Sequence, residues 1–115
     1  MKALIAAISL VSICSTAMAL DPVKTDGDKY IVKFENDRVR VLEYRDNPGD
    51  KTHQHSHPAF VLYAVEPFKR EIVLPDGKVL KRDFKAGDLL WSEEQTHIGE
   101  NVGDTPTHVI IVELK

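Results

Sequence analysis

Cysteine is almost absent: the 115-residue chain has one, Cys14, so no intrachain disulfide can form. Long apolar runs are missing too. The longest, Ala3 to Cys14, falls well short of the roughly 20 residues a membrane-spanning helix needs. There is no basic excess, with 15 Lys and Arg against 18 Asp and Glu for a net charge of −3. That balance argues against nucleic acid or an anionic membrane as partner. From Tyr30 onward no segment sustains a helical period, which excludes an all-α or α/β architecture.

The first segment, MKALIAAISLVSICSTAMA, combines Lys2, an apolar run and the small-residue end Ala17-Met18-Ala19. This predicts a signal peptide over residues 1–19, cleaved before Leu20, and hence a periplasmic or secreted protein. A lipoprotein signal on Cys14 would want a small residue before the cysteine, where bulky Ile13 stands. With Cys14 and Lys2 gone, the remaining chain has no thiol and is one charge more negative, so any metal must bind through histidines and carboxylates. Residues 20–115 make about one domain, large enough to close one core. Leu20 to Lys29, polar and without apolar period, reads as a loose lead.

Short alternating runs then follow at regular intervals. The candidate strands are Tyr30 to Glu35, Arg38 to Arg45, Lys51 to His57, Ala59 to Glu66, Lys69 to Leu74, Lys78 to Phe84, Asp88 to Ser92, His97 to Asn101 and Thr107 to Leu114. Between them lie turn signals such as Asn47-Pro48-Gly49-Asp50 and Pro75-Asp76-Gly77, the latter with its glycine in the left-handed position. The expectation is an all-β domain, a small sandwich or barrel.

Within this frame the string HQHSH places His53, His55 and His57 two residues apart. On a strand all three would face one side. The context adds to it, since Gly49 lies ahead of His55, while Gly87 opens a strand leading to His97 and Asn101.

In these features the chain resembles the cupin superfamily, small jelly-roll barrels. Gly49, His55 and His57 match the first cupin motif, and Gly87, His97 and Asn101 match the ends of the second, its histidine one residue early. The resemblance spans about Arg38 to Leu114 and implies a jelly-roll β-barrel, an exported bacterial member of the family, with His55, His57 and His97 as metal ligands. The carboxylate of the first motif is missing, since Val61 or Leu62 stands there. His53 and Glu93 are therefore candidates for a fourth ligand or for supporting the ligands.

Imidazoles suit one divalent transition metal (Fe, Cu, Ni, Zn, Co or Mn) better than Mg or Ca. Without a fixed carboxylate, positions stay open for water or substrate. Phe60, Tyr63, Trp91 and His108 are candidate pocket residues, His108 in phase with Ile110, Val112 and Leu114. Large aromatics in a small barrel more often serve packing, and Asn101 more often bonds backbone than metal. The runs Lys69-Arg70-Glu71 and Lys81-Arg82-Asp83 read as the exposed face of a hairpin.

Two function classes follow. One is a mononuclear metalloenzyme acting on a small molecule, dioxygenase-like or isomerase- or lyase-like. The other is a non-catalytic periplasmic module that binds metal or a small ligand. The resemblance also implies a homodimer.

Overall fold

The computed structural model describes residues 20–115; the signal-peptide reading of 1–19 lies outside them. Nine strands follow one short helix: α1 (Pro22–Thr25), β1 (Tyr30–Glu35), β2 (Val39–Asp46), β3 (His55–His57), β4 (Phe60–Ala64), β5 (Phe68–Val73), β6 (Val79–Phe84), β7 (Leu89–Ser92), β8 (Gln95–Asn101) and β9 (Thr107–Leu114). They form a five-stranded sheet in the order β1-β2-β9-β4-β7 and a four-stranded sheet in the order β3-β8-β5-β6. Every pairing is antiparallel. The all-β expectation holds. Among the described residues no helix is long and apolar enough to cross a membrane.

Turn chemistry sets the corners. Gly77 takes a φ of 87° in the β5–β6 hairpin, and Gly49 a φ of 85° where the chain leaves β2, a region that a side chain at Cβ disfavours. The core packs between the sheets: Leu42 and Tyr44 of β2, Val109 and Ile111 of β9, and Phe60 and Ala64 of β4 from one side, with Phe68 of β5 from the other. These residues alternate along their strands, as one buried face requires.

Two expectations need correction. The lead is not loose, because Asp21 caps α1 through a 2.9 Å bond from the Val23 backbone N–H, and Pro22 and Asp26 are buried. Polar composition concealed this, since the helix is only four residues long and docks through a buried carboxylate. The inward face of β9 is also the other one. Thr107, Val109, Ile111 and Glu113 point in, whereas His108, Ile110, Val112 and Leu114 point out. β9 lies inside a sheet whose outer face is apolar as well, so Val109 to Val112 carry no alternation from which phase can be read.

Candidate metal centre

β3 and β8 pair with His55 opposite His97 and His57 opposite Gln95. The two strands thus bring three buried histidines together, and one ring nitrogen from each of His55, His57 and His97 lies within 4.8 Å of the others. Among the described residues they are the one such cluster.

Each ring is held by an acceptor at its Nδ1. His57 Nδ1–H donates to Glu113 Oε2 at 2.7 Å, His97 Nδ1–H to Gln95 Oε1 at 2.6 Å, and His55 Nδ1–H to the His53 carbonyl at 2.9 Å. The tautomers follow from these acceptors. In the neutral rings the Nε2 atoms carry the lone pairs for an ion; that of His55 accepts from the Tyr30 hydroxyl at 3.2 Å, a bond an ion would replace. Glu113 is itself fixed by Arg40, 2.7 Å from Oε1, which also binds Asp21 at 2.7 Å. Both of its oxygens are thereby engaged, so Glu113 orients a ligand and does not replace the missing motif carboxylate.

Burial keeps two of the rings neutral. It lowers His55 to about 4, with His57 beside it adding to the effect, and lowers His97 to about 2, with His57, His55 and Arg70 adding. Neutral imidazole is the metal-binding form, so at pH 7 an ion displaces no proton from these two.

His53 lies outside the cluster. Its side chain is 79 % exposed and bonds Asp26 at 3.0 Å. The cause is a bulge: Lys51 bridges to Glu100 and His55 pairs with His97, so four steps along one strand match three along the other. The extra residue reverses the alternation. Thr52 is consequently buried, and the regular strand begins only at His55. His53 contributes through its carbonyl instead. Glu93 accepts from Trp91 Nε1 at 3.1 Å on the exposed surface, away from the histidines.

A cavity of about 90 Å³ opens beside the cluster, lined by His57, His97 and Tyr30, by Phe60 and Leu62, and by further apolar and polar side chains of both sheets, Arg70 and Arg82 among them. Of the candidate pocket residues, Phe60 lies 5.0 Å from His57 between ring centroids, and Trp91 lines the cavity while remaining half exposed. Tyr63 and His108 do not line it. Tyr63 is 44 % exposed on the outer face of β4, and His108 bonds Glu43 at 3.0 Å on the outer face of β9.

Arg70 overturns the exposed-hairpin reading. It is 8 % exposed and bonds Asp46 at 2.6 Å and the Tyr44 hydroxyl at 2.8 Å, while Tyr44 donates to Asp46. Asn101 donates to Asp46 as well, at 3.1 Å, and to the Thr105 carbonyl. Burial pushes the Asp46 carboxyl up, but Arg70 and the Tyr44 hydrogen bond outweigh it and hold the group below its ordinary value. A Cβ at Gly99 would come within 2.8 Å of the Arg70 guanidinium, so the glycine makes room for it. The inward phase of Arg70 was available in its alternation with Phe68 and Ile72. Glu113 could have been found the same way beside Val109 and Ile111, once the phase of β9 was known.

Three rings with satisfied Nδ1 atoms fit a divalent transition metal. Zinc-like Zn–N bonds of about 2.0–2.1 Å require the donors to lie no more than about 4.2 Å apart, so the rings would close in slightly on binding.

Comparison with known proteins agrees with this geometry. No family model and no curated protein matches the sequence. Among solved structures, a cupin domain from Bordetella pertussis Tohama I is 26 % identical, with a TM-score of 0.68 over 75 % of this chain and 91 % of that one. A cupin-like protein from Thermotoga maritima is 27 % identical, with a TM-score of 0.56 over 74 % of this chain and 65 % of that one. The polyketide cyclase RemF of Streptomyces resistomycificus shares the fold at 20 % identity, with a TM-score of 0.52 over 69 % of this chain and 56 % of that one. With two antiparallel sheets closed around a buried histidine cluster and cupins among its structural neighbours, the chain has the fold of the small cupin barrels.

Proposed function

We propose that His55, His57 and His97 hold one divalent transition metal and that the site acts on a small molecule entering the adjoining cavity. The observation that carries this reading is the orientation of the three imidazoles. Each has its Nδ1 spent on an acceptor, and His57 and His97 stand beside a cavity with room for a ligand. A bound ion would supply Lewis-acid or one-electron chemistry. The chain's own part is to keep His55 and His97 neutral by burial, to fix the three rings through Glu113, Gln95 and the His53 carbonyl, and to wall off water with Phe60 and Leu62. Tyr30, whose phenol burial holds protonated above its ordinary value, sets a hydrogen-bond donor at the same place.

The test is metal analysis of protein purified without a metal column. About one ion per chain is expected, lost in His55→Ala and His97→Ala; an equal content in both variants would sink the assignment. Oxygen uptake or substrate turnover by the loaded protein separates enzyme from carrier, because silence with very tight zinc or copper binding would favour the non-catalytic module. Export to the periplasm or medium belongs to the same reading, supported by the leader sequence and tested by fractionation.

The outer face of the five-stranded sheet supports a homodimer. Phe34, Val41, Val112, Val61 and Trp91 form one row across all five strands. Ile31, Ile110, Tyr63 and Leu89 lie in the next, interrupted by Glu43. Arg45 and His108 flank this apolar centre as a polar rim. A second copy on this face would cover an area on the order of the ~800 Å² per partner of a standard interface. Sedimentation should give twice the chain mass, and Val61→Lys the single mass.

A further inference from the structure

The β5–β6 pairing sets Arg70 directly opposite Arg82, and both arginines line the cavity. Like charges facing each other across a sheet destabilise it unless something neutralises them. Arg70 is neutralised by Asp46. Arg82 is half-buried, in phase with inward Leu80 and Phe84, and among the described residues no carboxylate lies within salt-bridge distance of it. One wall of the cavity therefore carries a positive charge without a counter-charge, beside the apolar side chains of Phe60, Leu62, Phe68 and Leu90. A guanidinium presents a fork of donors matched to a carboxylate.

We propose that the cavity selects a small monocarboxylate with a short apolar body, its carboxylate on Arg82 and its other end toward His57 and His97. Only that second placement rests on the metal reading. The size follows from the volume, since 90 Å³ is below the ~150 Å³ of an apolar cavity known to accept benzene. A short aliphatic acid fits better than an aromatic one.

The test is calorimetric titration of the purified protein, with and without equimolar Zn²⁺, using butanoate, its neutral isostere butanamide, and phenylacetate. Butanoate should bind at least about tenfold more tightly than butanamide and more tightly than phenylacetate. Arg82→Gln should abolish the preference for the acid over the amide, and Arg82→Lys should retain part of it. Zinc affinity, measured by chelator competition, should be the same in Arg82→Gln as in the wild type. Equal binding of acid and amide by the wild type, no binding of either, or an undiminished preference in Arg82→Gln would overturn the proposal. If Arg82→Gln fails to fold, Arg82→Lys and the acid–amide comparison still decide. An Arg82-dependent preference in protein that takes up no zinc would defeat the metal reading and leave this one standing; one-to-one zinc binding without acid preference would do the reverse.

Discussion

Two buried polar clusters share the walls of one cavity. In the first, Asp46, Tyr44, Arg70 and Asn101 bond one another, and the Arg70 charge is met by the Asp46 carboxylate. In the second, His55, His57 and His97 each bond an acceptor on the rear of the ring, and the front nitrogens of His57 and His97 bond nothing among the described residues. The first cluster is closed, and a closed polar network adds rigidity and specificity to a core. The second has capacity unspent, which only something from outside the chain can satisfy. The difference between structural and functional polarity in this barrel lies in that remainder, because burial is common to both.

The largest effect should come from opening the closed cluster. Asp46→Ala leaves the Arg70 charge buried without its partner and should cost about 3–5 kcal/mol of stability. Urea denaturation measures it, and a loss under 1 kcal/mol would mean that the network is not as shut off from water as its burial indicates.

Acid should then distinguish the clusters. The folded state holds His55 near 4 and His97 near 2, while an unfolded histidine titrates near 6.5. Below that value the unfolded chain takes up protons that the folded one refuses, so stability present above pH 6.5 is lost as pH falls. The metal-free protein should lose about 1.4 kcal/mol per pH unit for each of the two histidines down to pH 4. A flat profile between pH 6.5 and 4.5 would contradict the burial of the rings. His97→Gln should halve the slope.

Smaller still is the support behind His57. Glu113→Gln keeps a hydrogen-bond acceptor and removes the charge, and should weaken metal binding by about 10- to 100-fold. Chelator competition is the readout, and an unchanged affinity would reduce Glu113 to a partner of Arg40. Least of all should be His53→Ala, because the support His53 lends comes from its backbone. Metal affinity within about twofold and stability within about 0.5 kcal/mol of the wild type are expected.

Much of this arrangement was legible in the chain. Strand order and corners could be read because turn residues such as Pro75-Asp76-Gly77 have few conformational alternatives. The spacing from Gly49 through His55 and His57 to Gly87 and His97 marked out the cluster. What stayed hidden depended on which face of a strand points inward. The apolar stretch in β9 conceals its phase, so nothing marked Glu113 as inward and His108 passed for an inward ring. Arg70 and Arg82 sat in charged runs that resemble a solvated surface, yet each shares its phase with inward apolar neighbours. The counterpart of a buried ion, here Asp46 for Arg70, comes from a distant strand, and no local pattern announces it.

The bulge before His55 makes HQHSH a message whose meaning depends on its reading frame. Deleting Gln54 would shorten the segment by the one surplus residue and restore an uninterrupted alternation through Thr52. Thr52 would keep its inward place, and His53, now next to His55, would stay on the outer face. A single-residue deletion would thus straighten the strand and still leave a three-histidine centre, because parity and not the number of histidines decides which rings enter.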